Sequence, residues 1–412
     1  MTIAALRDRF RDPTAAELQL IARYGELPED ARRARAFEAF AASGLPHRRM
    51  EQWKWTDFRQ SVSTIEKSGA AHPALLTIPD DAIVLRFDGQ RWIVPGTVPD
   101  GIRVFEKTEG QALGNAEVLP MAALAAALTG RKSASDVLQV EITEALDMPV
   151  FLDFDLGGRE AAFVRISFVV RPGARLDVIE RHTGGAGLSS VIVDCGVQDR
   201  GHATRTLVQS GTSSEATAIT SSVTLGAAAQ FEQTALAFGA KVARIETRLS
   251  HDGPEAHATL NAAYLASAGQ HVDFTSHVRH GAESCVTRQL TKGAVSQGGR
   301  GVFQGKFHVP RTIGQYTDAD MQHQALLLEE GAEVFAKPEL EIYADDVECA
   351  HGNTSGQLDE TALFYMRQRG IPLADARALL TEAFIADALQ MAHESVRDDL
   401  LAASRGFLRG KA

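Results

Sequence analysis

A cysteine and a histidine stand two residues apart, at positions 349 and 351, at the end of a run that reads as a β-strand. Successive strand side chains point to opposite faces, so Cys349 and His351 share one face and Glu348 and Ala350 the other. A thiolate beside an imidazole is a soft pair, suited to zinc, copper or iron-sulfur chemistry. Two ligands make half a site, and the rest must come from elsewhere. The competing reading is structural, because free cysteine is among the most buried residue types and a strand-end histidine often only satisfies a turn.

The other reactive residues read more simply. Cys195 shares its strand face with Val191 and Val193, which predicts an inert core thiol, and Cys285 is also assigned a structural role. Asp345 and Asp346 form a carboxylate pair, but between Ala344 and Val347 they read as a turn, since Asp bonds to its own backbone there. His271 and His277 fall on the outward face opposite Val272, Phe274 and Val278, where they are expected to be solvated. The segment GGRGVFQGKF, residues 298–307, has the look of a phosphate loop. However, Phe307 follows Gly305-Lys306 where a Walker A loop needs Ser or Thr. Glycines at the corners of a coiled strand array explain it better, and no ATP site is expected in this chain. No GxSxG, HExxH or strand-helix GxGxxG motif is present.

The chain has 412 residues, enough for two or three structural units. Its composition, 44% hydrophobic and 23% charged, is that of a soluble globular protein. The formal net charge of -11 argues against a primary role on nucleic acid or an anionic membrane. Residues 1–13 hold no apolar signal core, and the apolar stretch starting at Val118 is interrupted by Pro120, so a cytoplasmic location is expected. Three widely spaced cysteines suit reduced thiols rather than a disulfide framework.

Stepping along the chain, the spacing predicts helices over Thr14–Tyr24 and Glu29–Ala42, a hairpin around Asp88-Gly89 within Ile83–Val94, and mostly helix over residues 116–146. From about residue 160, short alternating runs begin near Val164, Leu176, Val191, Thr204, Ile219, Phe231, Ile245, Ala258, Val272, Val286 and Phe303. Such even spacing, with no helices between, favours a solenoid, here a parallel β-helix. Ile245, Thr247 and Leu249 should then point inward and Arg244, Glu246 and Arg248 into water. After Gly352 the pattern returns to helix, with Asp359 as cap and Gly370 as stop. The divisions expected are an N-terminal helical domain (1–80), a mixed α/β connector (81–145), a β-helix core (146–352) and a C-terminal helical domain (353–412). A β-helix leaves an unpaired strand edge at each end, and Cys349 and His351 lie near one of them.

The runs KPELEIYADDVECAHG and GQLDETALFYMRQRGIP, and more loosely GQYTDADMQHQALLL and EQWKWTDF, resemble the SufB/SufD family of iron-sulfur cluster assembly scaffolds, in its SufD branch. The resemblance is dense over residues 300–390. It implies a mainly β fold, a right-handed parallel β-helix flanked by helical domains, and a non-catalytic role. It also implies a SufB-like paralogue as partner, with Cys349 and His351 at their interface handling iron or a transient, shared iron-sulfur cluster. The C-terminal helices are then expected to bind a SufC-like ABC-type ATPase. A homodimer through the same edge is the alternative for the isolated chain. Two other functions compete: a β-helix carbohydrate-active enzyme such as a pectate lyase, and a SufB-like subunit that itself nucleates the cluster. Low aromatic content (7%) and no apparent export signal disfavour the first; length and few cysteines disfavour the second.

Overall fold

The computed structural model describes residues 10, 12–68, 75–107, 119–130, 137–183 and 186–410. Its centre is a parallel β-helix in which the chain passes alternately between two sheets, one of ten strands and one of nine. From Val137–Ile142 to Glu348–Gly356, each strand pairs in parallel with the strand two places along the chain, which gives eight coils of two strands each. The stacking is in register. One column runs Leu176, Ala203, Phe231, Ala258, Thr287, Ala319, Cys349, one residue per coil. All eleven runs read from the sequence fall inside strands of this ladder.

Parallel strands covered on both faces bury nearly every residue, so alternation marks direction rather than exposure. Val137–Ile142 shows this: all six residues are buried, and the segment is a strand paired with Ala161–Val170. Helix was expected across 116–146, but among its described residues only Pro120–Leu128 is helical. Residues 116–118 and 131–136 of that stretch lie outside the described residues.

Inward-facing Ile245 and Leu249 join an apolar interior that extends from Ile83 to Met321. The outer face of the nine-stranded sheet carries the N-terminal helices Ala15–Gly25 and Ala31–Ser43 together with Pro120–Leu128, packed on Phe163, Leu188, Ala218 and Val242. Thr14 and Asp30 cap the first two, Thr14 in a full capping box with Glu17. The outer face of the ten-stranded sheet carries Leu373–Leu389 and Glu394–Leu408, whose Ile385, Leu389, Val396 and Leu400 cover Ile179, Val208, Leu236 and Leu265.

The outward charges Arg244 and Glu246 are not in water. They are sealed beneath the segment EQWKWTDF, where Arg244 donates to Asp273 (2.7 Å) and Glu246 (3.0 Å) and lies 4.0 Å from the Trp53 ring centre. Burial opposes ionisation of Glu246, but Arg244 and Arg248 outweigh it and hold the carboxyl below its usual range. His271 and His277 do face outward, yet neither is freely solvated. His271 lies 2.9 Å from the Thr56 hydroxyl, and burial pulls both imidazoles down to about 4. The same N-terminal segment reaches the last strand of its sheet, where Trp55 stacks on Phe335 and Lys337 pairs with Glu51.

The candidate functional site at the open end of the β-helix

Glu348–Gly356 is the last strand of the ten-stranded sheet and pairs on one side only, with Asp318–Leu327. The register sets Cys349 on Ala319 and His351 on Met321. Ala319 and Met321 are buried members of the interior, so Cys349 and His351 also face the axis of the β-helix. Among the described residues no coil lies above them. Cys349 is therefore half-buried and His351 exposed, although both occupy positions that are core in every coil below. Across the mouth, Val334, Ala336 and Leu340 of Glu333–Ile342 pack against the same interior. The open end is thus a thiol and an imidazole on one wall facing aliphatic side chains on the other.

Burial pushes the Cys349 thiol above its ordinary value, and the nearby Asp318 carboxylate adds to this, against a weaker opposing hydrogen bond from the Ala319 backbone. At neutral pH the sulfur therefore carries its proton. A positive centre has to displace that proton before the sulfur can ligate. Among the described residues no three His, Cys, Asp or Glu side chains converge as a metal site.

The strand runs on past Gly352 to Gly356, four residues beyond where helix was expected to take over. That extension brings Asn353 and Ser355 onto the same inward face. Asn353 Oδ1 lies 2.7 Å from Nδ1 of buried His323, and His323 Nε2 lies 2.9 Å from the hydroxyl of buried Tyr264. Sequence reading missed this chain, although the period of two that pairs Cys349 with His351 continues to Asn353, and the same period in MQHQA pairs Met321 with His323.

The other candidates fall away from the site. Cys195 is in the interior, its thiol pushed up by burial to about 12. Buried Cys285 donates to the Ala282 carbonyl at 3.4 Å. Asp345 and Asp346 sit in a bend, with the Tyr316 N–H donating to the Asp346 carbonyl at 2.7 Å. In the glycine-rich segment the corner explanation holds for Gly298, which has φ +72°, and for Gly299 beside it in the turn before Arg300–Val309. Gly301 and Gly305 are inside a strand, where a Cβ would lie 2.3 Å from the Tyr264 ring and 2.3 Å from Met321 Sδ, respectively. They are small because large neighbours fill their places.

A second surface lies beyond the site. Glu360–Gln368 buries none of its residues, and its Phe364 and Tyr365 are each 61% exposed. Leu373 and Leu379 extend this apolar surface onto the next helix. No described helix is long and apolar enough to cross a membrane.

Residues 154–384 match the family model described as SUF system FeS cluster assembly, SufBD core domain. The chain belongs to the SufBD family. It is 37% identical over 161 residues to the iron-sulfur cluster assembly protein SufD of Escherichia coli K12, across 39% of this chain and 37% of that protein. To the chloroplastic protein ABCI7 of Arabidopsis thaliana it is 25% identical over 417 residues, 93% of this chain and 86% of that one. A SufBD family protein of Synechocystis is 35% identical over 175 residues, 41% of this chain and 37% of that protein. The match to SufD thus spans well under half of that relative's length, whereas the match to ABCI7 spans most of it. The SufBD assignment places the chain in iron-sulfur cluster assembly.

Proposed function

We propose that this chain is a non-catalytic scaffold subunit of a cytoplasmic Suf-type assembly complex. The observation that carries the reading is the uncovered last coil, which displays a thiol and an imidazole toward the β-helix axis. A second β-helix, that of a SufB-like paralogue, pairs with the open end and supplies the missing ligands. The iron-sulfur cluster is cargo shared across that interface: Cys349 and His351 hold iron or sulfur while it forms, and release it afterwards.

A SufC-like ABC-type ATPase docks on the exposed apolar surface of Phe364, Tyr365, Leu373 and Leu379. The later helices have their apolar faces committed to the chain's own sheet, so the docking surface is narrower than the whole C-terminal segment. Nucleotide-driven movement of the ATPase then reshapes the mouth through Lys292–Asp387, an ion pair of 2.6 Å that ties Leu373–Leu389 to the β-helix.

The test is the double variant Cys349→Ser, His351→Ala in native cells. It should assemble with its partners at wild-type yield and lose most cluster output. Normal cluster output at wild-type complex levels overturns the site, and isolation of the chain as a homodimer with no paralogue bound overturns the partner.

A further inference from the structure

Tyr264 is fully buried, and its phenolic O–H must find an acceptor. Among the described residues its one hydrogen-bond partner is His323 Nε2, at 2.9 Å. The phenol proton therefore points at Nε2, which leaves the imidazole proton on Nδ1. Nδ1–H in turn donates to Asn353 Oδ1, at 2.7 Å. The direction of the chain is fixed from the inside outward: Tyr264 to His323 to the Asn353 oxygen. With its oxygen so engaged, the exposed Asn353 amide has its NH₂ group left to donate, on the strand face of Cys349 and His351.

The relay is built rather than incidental. A Cβ at Gly293 would lie 2.0 Å from the Tyr264 ring, and one at Gly301 2.3 Å from it, so two strand positions are left empty to admit the phenol. The His323 imidazole is stacked on Phe303 at 4.8 Å with its plane 1° away, which fixes its rotation. Asn353 is two residues from His351 on one strand face, roughly 6.5 Å along the strand.

We propose that Asn353 is a third member of the open-end site, a hydrogen-bond donor aimed by Tyr264 and His323 at a sulfur of the cargo held by Cys349 and His351. The chemistry it recognises is anionic sulfur, whether sulfide or the bridging sulfur of a thiolate-ligated iron-sulfur cluster, which accepts N–H hydrogen bonds that tune its charge and retention. The inference rests on the cluster-handling reading of Cys349 and His351.

The test uses the full chain in its assembled complex, loaded anaerobically with Fe²⁺ and sulfide and then challenged with an iron chelator. Loss of a hydrogen bond to a charged acceptor should make Asn353→Ala release iron about tenfold faster. Asn353→Asp keeps the oxygen that His323 needs but replaces the donor with a negative charge, so it should be at least as poor. Tyr264→Phe keeps the ring in its cradle and removes only the proton that sets the relay. In that variant the ¹⁵N signals of His323 should shift from the Nδ1–H tautomer toward a mixture, with a smaller rise in release rate. Wild-type retention in Asn353→Asp means that only the oxygen matters, which overturns the donor role. Wild-type retention in Asn353→Ala, with loss in the Cys349/His351 double variant, overturns the assignment of Asn353 and leaves the site standing. Wild-type retention in both overturns the site beneath it as well.

Discussion

The two ends of the β-helix differ: one is closed and the other open. At the first coil, the strand Val150–Asp155 is bordered by Ile83–Phe87, which turns back as an antiparallel pair with Trp92–Ile93. The other sheet ends in Ile102–Lys107, antiparallel to Val137–Ile142. Trp92, Val94 and Val98 pack onto the interior there, and Phe154 is enclosed by Phe87, Trp92 and the stacked His182 ring. At the last coil nothing of this kind follows among the described residues. Inward columns that are buried throughout the body simply continue to Cys349, His351 and Asn353 and emerge. Their exposure follows from position in the stack and not from polarity.

Replacing an inward side chain should therefore cost the isolated chain much more at the closed end than at the open one. Phe154→Ala removes a ring with 0% exposure and should lower unfolding stability by about 3–5 kcal/mol, whereas Leu340→Ala should cost about 1 kcal/mol. If the open end pairs with a partner as proposed, the Leu340→Ala cost should grow in the assembled complex. Urea unfolding of both variants, alone and in complex, checks this; equal costs in the isolated chain would mean that the last coil is already covered.

The thiols sharpen the same contrast. With Cys195 pushed up to about 12, its thiolate at neutral pH is scarcer than that of an ordinary thiol by roughly 1,000-fold. A maleimide should label Cys349 first in the native chain, and Cys195 at about a thousandth of its rate in the unfolded chain. Fast native labelling of Cys195 would contradict its place in the interior.

The solenoid was legible because its signal is repetition: each of the eleven spaced runs is a strand, and the hairpin at Asp88-Gly89 and the first two helices, to within two residues at each start, are where the residues put them. What was not legible depends on covering layers. Arg244 and Glu246 read as solvated because nothing in their own strand announces Trp53 arriving from 191 positions earlier. Val137–Ile142 lost its alternation because both faces are covered. At the site, the shared face of Cys349 and His351 was readable, but its continuation was cut short by Gly352, a residue that weakens a strand without ending one. Gly301, one of the two glycines that admit Tyr264, read as a corner glycine, since only the stack shows which neighbour occupies its space.

The smallest effect concerns protons one coil below the mouth. Burial pulls the His323 imidazole down to about 4, with the Asn353 hydrogen bond acting weakly the other way. The groups facing it are neutral: Tyr264, Phe303 and Asn353. In the unfolded chain the same imidazole titrates near 6.5. Between these values the unfolded state binds the extra proton, so stability is full above about 6.5 and falls as the pH drops toward 4. At pH 5 the loss from this residue is about 2 kcal/mol. His323→Gln keeps a donor and an acceptor but cannot titrate, so its stability should drop less than wild type between pH 7 and pH 5 by about that amount. His251, His271, His277 and His280, all depressed by burial, continue to titrate in both proteins and cancel in the comparison. Identical acid sensitivity of wild type and variant would mean that water reaches His323 in the isolated chain, and that the open end is wet one coil deeper than its hydrogen bonds imply.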